Sequence, residues 1–567
     1  MTRSFIRLSA CSILILSGTA VRLPAQTHDT LGLRPAFRLI DRYASQVMQE
    51  NGTPGMAVAL ADRAGVITVR TYGYADLERR IPVSPDTRFE IGSISKSFTA
   101  IALLQLADSG RFDPQLPITH YLPWFTPATR WRPVTGHDLL THTAGLPADR
   151  DDIPSSKAQA YLARERTLGS APGTRWAYSN IGYQVLGVLL EALTKKPYAA
   201  VVQERILTPL GMKSAEAQFT HATRPRLAVG YERLYDDRPA RQGDPLVPGT
   251  WIEYGSGDGS IVSNAGDMGV YLTMLLNNGQ GPGGPVLSEA RIRQMLRPYA
   301  LTDRGGAHYG YGILLDTLDG RPVFRHSGGM IGYTSELIGQ QSGLGIGAVA
   351  FVNGPGRPDA VARFALRTLG AAMRGDSLPP LPEPRQPWRV KQAERYAGTY
   401  TSSNGASLTF EAAGDSLFLT EGGARSLLLA YGEHAVLGPR ERFPLFPLRF
   451  SGDSSGMTEV WYGGDWYAGQ RYRGPRNFTV PAAWLPYPGH YRIMQPWEPN
   501  FRVVLRKGAL WYVTADGAEE PLTPLGPGEF RIGEPGSAER LRFGDVVDGK
   551  ALTATLSGME YFRFFVE

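Results

Sequence analysis

The spacing of apolar positions divides the chain into regions of different texture. At the front, Leu39, Tyr43 and Val47 recur every fourth residue within Phe37–Asn51, and Gly52 follows. That spacing predicts a helix stopped by a glycine. Met56–Ala61 and Val66–Tyr72 are short apolar runs joined across Asp62–Gly65, which predicts two strands and a turn. Arg88–Ile91 reads as a third extended piece. From Ser93 to Asp108 the chain is apolar nearly all round, through Ile94, Phe98, Ile101, Leu103, Leu104 and Leu106, and Gly110 stands at the stop position. A helix of that kind is buried on every side.

The middle of the chain is helical and loop-rich, with Ile181–Ala192 and Asp267–Leu276 as its clearest helices. Short apolar runs punctuated by glycine return at Tyr311–Asp316, Val323–His326, Ser335–Gln340 and Gly345–Val352, and Asp359–Met373 closes the region as a helix. Strands at both ends of residues 35–375 predict one sheet assembled from both ends, helices on its faces, and a helical lobe alongside. Leu378–Pro387 carries too many prolines for a helix or a central strand, so 376–390 reads as a semi-rigid linker. Beyond it lie short strands with turn signals, about eight from Tyr396 to Arg473 and about eight from Tyr491 to Val566. Tyr396-Ala-Gly-Thr-Tyr400 and Tyr487-Pro-Gly-His-Tyr491 open the two halves alike. This internal repeat predicts two small antiparallel β-barrel domains, 391–475 and 485–567, because closure removes exposed strand edges.

Composition changes the picture mainly at the N-terminus. Arg3 and Arg7 precede an apolar run from Leu8 to Leu16 and then small residues, which predicts a signal peptide over 1–25, cleaved after Ala20 or Ala25. The run is too short to span a bilayer stably, so no membrane span is expected after its removal. The product would be exported, periplasmic or secreted. Cys11 is the only cysteine and would leave with the signal, so neither a disulfide nor thiol chemistry is expected. Loss of 1–25 removes three arginines and no acid, which lowers the formal charge from +6 to +3. With no long basic run either, a nucleic-acid partner is not expected.

The chemistry starts at the mouth of the buried helix. Ser93 and Lys96 are three apart and share a helical face. A serine hydroxyl needs a base, and a lysine in a dry pocket can become one, so the pair reads as a nucleophile with a base or proton relay. Tyr178-Ser-Asn180 precedes a helix. Tyr178 could shuttle a proton, and Asn180 could orient Lys96 and donate to a substrate amide. His326-Ser327-Gly328-Gly329 is expected at a strand end, where two glycines leave room for a substrate backbone, and an N–H near Gly329 could join that of Ser93 as an oxyanion hole. His308-Tyr-Gly310 is set aside because it precedes a strand. His137 and His142 read as structural, with no metal and no cofactor predicted. Gly452-Asp-Ser-Ser-Gly456 spells a nucleophile-elbow pattern, but in a predicted hairpin, where that pattern does not function.

Ser-x-x-Lys, Tyr-x-Asn and His-x-Gly in this order resemble the serine β-lactamase and penicillin-binding-protein superfamily, in its class C-like branch. His137–Leu146, Pro209-Leu-Gly-Met212, Gly259–Asp267 and Asn353 are similar to that family's connecting pieces, so the resemblance covers Pro35 to Met373. It implies an α/β sandwich beside a helical lobe (β-lactamase/transpeptidase-like), here followed by the two barrels. It also implies Ser93 as the acylated nucleophile, Lys96 and Tyr178 sharing acid and base work, and Asn180, His326, Ser327, Gly328 and Gly329 on the substrate. His326 stands where class C β-lactamases carry lysine, as in some DD-peptidases, esterases and D-aminopeptidases of the branch. The D-aminopeptidases are similar in architecture too, with two C-terminal barrels. The expected function is an exported serine hydrolase acting through an acyl-enzyme on small amide, peptide (including D-amino-acid) or ester substrates. The alternatives are a β-lactamase and a catalytically vestigial binding protein that uses its barrels. The three motifs all precede the linker, so the barrels are expected to shape the site rather than supply its chemistry.

Overall fold

In the computed structural model, which describes residues 30–148 and 155–565, the first helix runs Arg34–Asn51 and ends where Gly52 turns left-handed at φ 67°. The segment 1–25, with Cys11 and both cleavage positions, lies outside the described residues. A nine-stranded sheet forms the centre. Its order is Ala300–Leu301, His308–Tyr309, Leu314–Leu318, Arg321–Met330, Tyr333–Gln340, Ile346–Val352, Gly55–Asp62, Gly65–Asp76 and Ile81–Pro82. The front and back of the region meet in the middle, where Gly55–Asp62 pairs antiparallel with Ile346–Val352.

The strand Gly55–Asp62 shows why this sheet is buried on both sides. Ala57, Ala59 and Ala61 face one core with Phe98 and Leu272, while Met56, Val58 and Leu60 face another with Ile40 and Leu366. Alternate side chains of a strand point to opposite faces, so an unbroken apolar run feeds two cores. The helices Ser95–Asp108 and Ala265–Leu276 belong to the first core, and Arg34–Asn51 and Pro358–Arg374 to the second. Every residue of Ser95–Ile101 is buried, as the all-round apolar pattern requires.

Three expectations shift. Arg88–Ile91 contributes only Phe89–Glu90, which pairs with Val262–Ser263 in a separate two-stranded ladder. The strand expected over Tyr311–Asp316 starts at Leu314, because Gly312 turns left-handed at φ 69° against the carbonyl of Lys96, where a Cβ would stand 2.6 Å away. The strand expected to end at His326 continues to Met330. Its partner Tyr333–Gln340 pairs with it through Met330, so the His-Ser-Gly-Gly motif lies inside the strand. Its other neighbour, Leu314–Leu318, stops pairing at Arg325, which leaves that edge open from His326 onward.

Leu378–Pro387 holds no helix or strand and lies along the first helix, with Gln46 donating to the Pro382 carbonyl at 3.2 Å. The second C-terminal unit, Gly489–Phe564, is a closed eight-stranded barrel. The first, Gly398–Gly469, has nine strands in an order whose ends, Ala424–Leu427 and Leu429–Ala430, do not pair, so it is nearly closed. The repeated Tyr-x-x-x-Tyr does the same work in each. Tyr400 donates to the Tyr396 carbonyl at 3.0 Å, and Tyr491 to the Tyr487 carbonyl at 2.7 Å. Gly452–Gly456 is a hairpin turn, as expected. No described helix is long and apolar enough to cross a membrane.

Glu336 carries a prediction about stability. It is fully buried, neither carboxyl oxygen has a hydrogen-bond partner, and burial pushes its pKa from 4.5 up to about 7 despite Arg325 nearby. Between those values the folded state keeps a proton that the unfolded chain releases, so stability falls as pH rises through that window. Glu336→Gln removes the titration. Its melting temperature relative to wild type should climb by about 2 to 5 °C between pH 5 and pH 7.5. A difference that stays constant over that range would place the proton elsewhere.

Candidate active site

Ser93 sits in a 3-10 turn, Gly92–Ile94, that leads into the central helix. Gly92 is left-handed at φ 51°, and a Cβ there would stand 2.6 Å from the Gly329 carbonyl. Only glycine lets this turn close against the strand, which brings Ser93 beside Gly329. Gly328 is equally constrained: a Cβ on it would stand 2.0 Å from the Ile91 carbonyl.

Lys96 is fully buried. Its Nζ donates to Ser93 Oγ at 3.0 Å, Asn180 Oδ1 at 2.7 Å and the Asp258 carbonyl at 2.8 Å. Three acceptors match the three N–H donors an ammonium can offer. Asn180 is free to reach Lys96 because Ser179, not Asn180, caps the helix Asn180–Thr194, accepting from the Gly182 N–H at 3.3 Å. With Oδ1 on Lys96, the Asn180 NH2 group is left for the cleft.

Tyr178 lies beside Lys96, but ring-face on, with Nζ 4.9 Å from the ring centroid. Its hydroxyl makes no hydrogen bond among the described residues. Of the two groups assigned to proton transfer, Lys96 is therefore the one in contact with Ser93.

His326 departs from its expected place on the substrate. It is buried behind the cleft wall, with Nε2 2.8 Å from the Tyr309 hydroxyl and Nδ1 2.6 Å from the Ser327 carbonyl. Burial, with help from the charge on Lys96, pushes its pKa down to about 3, so the ring is neutral near pH 7. The reason is the strand pleat: His326 and Gly328 face inward toward the central helix, and Gly329 reaches the opening.

Ser93, Asn180 and Gly329 line a cleft of about 160 Å³ together with Tyr254, Asp258, Gly259, Met330, Gln495, Trp497 and Glu498. Asp258 accepts from the Tyr254 hydroxyl with both carboxyl oxygens, each at 3.0 Å. Gln495, Trp497 and Glu498 come from the C-terminal barrel, on the loop between Gly489–Arg492 and Asn500–Arg506. Ile493 N–H donates to the Pro499 carbonyl at 2.9 Å and closes the neck of that loop. Its base is anchored by Arg492 to Asp236 at 2.6 Å and Arg502 to Asp237 at 3.1 Å. On another part of the catalytic region, Ala148 N–H donates to Glu539 of the same barrel at 2.7 Å. The barrel thus walls the cleft, as a shaping role requires.

The sequence motifs omit Asp258, Tyr254, Trp497 and Glu498. Asp258 directly precedes the Gly259–Asp267 piece, and Trp497 stands between Pro496 and Pro499 in a link too long for a tight hairpin. Those were the available signals. His142, read as structural, packs 4.3 Å from the Tyr178 ring, and Tyr309 sits in the His-Tyr-Gly segment that was set aside. Among the described residues no group of three or more His, Cys, Asp or Glu side chains is placed to hold a metal ion.

The chain is similar to several known proteins. A D-aminopeptidase from Brucella anthropi is 27% identical over 314 residues, covering 52% of this chain and 55% of that one. Protein flp of Staphylococcus aureus (strain MW2) is 29% identical over 204 residues, covering 34% of this chain and 41% of its own length. The chain thus spans well under two thirds of these curated relatives. Among solved structures, the octameric penicillin-binding protein homologue from Pyrococcus abyssi superposes with a TM-score of 0.56 at 23% identity, over 76% of this chain and 99% of that one, a likeness of fold. The family model described as Beta-lactamase matches residues 40–372, more than half of the sequence and the whole of the region that carries Ser93, Lys96, Asn180 and Gly329, and the chain belongs to the beta-lactamase family.

Proposed function

We propose that the chain is an exported serine hydrolase that works through an acyl-enzyme on small amides, peptides or esters bearing an amine near the scissile carbonyl. The observation that carries the acyl-transfer reading is Lys96 Nζ at 3.0 Å from Ser93 Oγ, held there by Asn180 and the Asp258 carbonyl. With Lys96 in its neutral amine form, Ser93 Oγ attacks the carbonyl carbon and its proton passes to Nζ across the 3.0 Å contact. The N–H groups of Ser93 and Gly329 stabilise the oxyanion. The collapsing intermediate expels the amine or alcohol with that proton, leaving a Ser93 ester that water hydrolyses. Export rests on the charged, then apolar, then small-residue pattern of 1–25.

Cleft charge supports the substrate class. Among the described residues, the acidic side chains on its wall are Asp258 and Glu498, set beside the Tyr254 and Trp497 rings, and no Lys or Arg is on it. His326 adds no charge near neutral pH. A substrate ammonium finds carboxylates and aromatic faces here, whereas a carboxylate such as that of a penicillin finds no Lys or Arg among the described residues of the wall. The small volume favours a short acyl group. The D-aminopeptidase relative supports D-amino-acid amides as substrates.

The test compares kcat/KM for D-alanyl p-nitroanilide, its N-acetyl form, a short ester and nitrocefin. The free amine should outrun its acetylated form by about tenfold or more, and Glu498→Gln should shrink that ratio mainly through KM. Equal rates for the two anilides would remove the amine preference. Nitrocefin far ahead of every other substrate would make the protein a β-lactamase. No turnover and no labelling by a fluorophosphonate would leave the binding-protein alternative.

A further inference from the structure

Behind the cleft a line of hydrogen bonds joins two of the motifs. Ser179 N–H donates to His142 Nδ1 at 3.1 Å. His142 Nε2 is 3.2 Å from the Tyr309 hydroxyl, which is 2.8 Å from His326 Nε2, and His326 Nδ1 is 2.6 Å from the Ser327 carbonyl. Ser179 is the middle of Tyr-Ser-Asn, and Ser327 follows His326 on the strand that carries Gly329.

The two ends of this line are backbone groups whose roles cannot change. An amide N–H only donates, so His142 Nδ1 is bare and the proton of its neutral ring is on Nε2. A carbonyl only accepts, so His326 carries its proton on Nδ1 and presents a bare Nε2. The Tyr183 hydroxyl also lies beside that of Tyr309, but its proton is committed to the Leu140 carbonyl at 2.7 Å, so only the Tyr309 proton can satisfy the bare Nε2 of His326: Tyr309 accepts from His142 and donates to His326. Each link then has one donor and one acceptor. A proton added to either imidazole would set two donors against each other and break the line.

We propose that Tyr309 is a positioning residue whose hydroxyl is the central link of this one-directional chain, holding His326 as the neutral Nδ1–H tautomer and tying the segment before Asn180 to the strand of Gly329 across the cleft. Three features support it. Tyr309 is fully buried, and His142 and His326 are almost fully so, so a broken link leaves groups that bulk water does not reach. His142 holds a left-handed backbone at φ 58°, unusual without a glycine, which the surrounding contacts must maintain. The groups facing His326 are Lys96 from the central helix, Tyr178 from the preceding loop of Asn180–Thr194, Tyr309, His142, Arg304, and Arg325 on its own strand. Three of these are cations. A neutral imidazole avoids adding a fourth positive charge next to Lys96, and a hydrogen bond donated to Nε2 favours that neutral form.

The first test is neutron diffraction from crystals of the full chain near pH 7, and it does not depend on the proposed reaction. Deuterons are expected on His142 Nε2, on His326 Nδ1, and on Tyr309 pointing at His326. A deuteron on His326 Nε2 would overturn the proposal. The second test rests on the acyl-transfer reading. Tyr309→Phe should lower kcat about tenfold with KM within about twofold. A variant that only loses melting temperature, with kcat and KM both unchanged, would make Tyr309 a packing residue and refute the proposal. If it does not fold, the deuteron positions decide. A wild type with no acyl turnover would sink the proposed function while leaving those positions to judge the chain.

Discussion

Ser93→Ala should end covalent labelling by a fluorophosphonate or a fluorescent penicillin and reduce hydrolysis by a factor of about 10⁴ or more, with the melting temperature close to wild type. Ser93 is the serine whose hydroxyl meets a buried lysine, and it fronts the cleft beside Gly329. Among the described residues no other serine is in all of those positions. Removing its Oγ takes one acceptor from Lys96, which keeps Asn180 at 2.7 Å and the Asp258 carbonyl at 2.8 Å, so the fold loses little. Ser454 is the natural control, because it belongs to the Gly-x-Ser-x-Gly pattern in an exposed hairpin turn. Activity that survives Ser93→Ala but not Ser454→Ala would move the chemistry to the barrels and discard the proposed mechanism.

The second large effect is expected at Lys96. Lys96→Arg should cut acylation by a factor of about 10³ or more, because a guanidinium does not give up its proton near neutral pH and its planar fork does not match three acceptors set around one nitrogen. A larger head group in a fully buried site also strains the packing, so loss of activity there could reflect loss of structure. Lys96→Met separates the two causes. It keeps the length of the stem, introduces no charge, and should be as inactive as the arginine variant while its circular dichroism stays native. Acylation of Lys96→Met at near the wild-type rate would take lysine out of the proton-transfer scheme and leave Tyr178 as the group to examine. Measuring burst amplitude and steady-state rate together distinguishes failure to form the acyl-enzyme from failure to hydrolyse it.

Much of the scaffold was legible along the chain because local geometry ties it to short spacings. Leu39, Tyr43 and Val47 mark a helix that stops at left-handed Gly52. The apolar helix after Ser93 is buried along Ser95–Leu104, and Ser93 and Lys96 meet because residues three apart share a helical face. The Tyr-x-x-x-Tyr repeat foretold two related barrels, since each copy makes the same phenol-to-carbonyl bond within five residues of chain. What was misread locally was also decided by partners. The strand through His326 runs on to Met330 because Tyr333–Gln340 pairs with it all the way, and glycines in a row carry no sign of that partner.

Tertiary structure alone decided what surrounds the nucleophile. The Asp258 carbonyl that helps hold Lys96 lies 162 residues away in sequence, and backbone carbonyls leave no mark in a sequence. His326 has the letters of a substrate contact, but the pleat turns its ring inward onto Tyr309, 17 residues earlier. Trp497 and Glu498 reach the cleft only because two arginine–aspartate pairs dock a separate barrel beside it. Sequence specifies chemistry where helix and strand periods place neighbours a few residues apart. Charge, volume and proton direction in the cleft depend on which distant surfaces are buried together, and packing of the whole chain selects those.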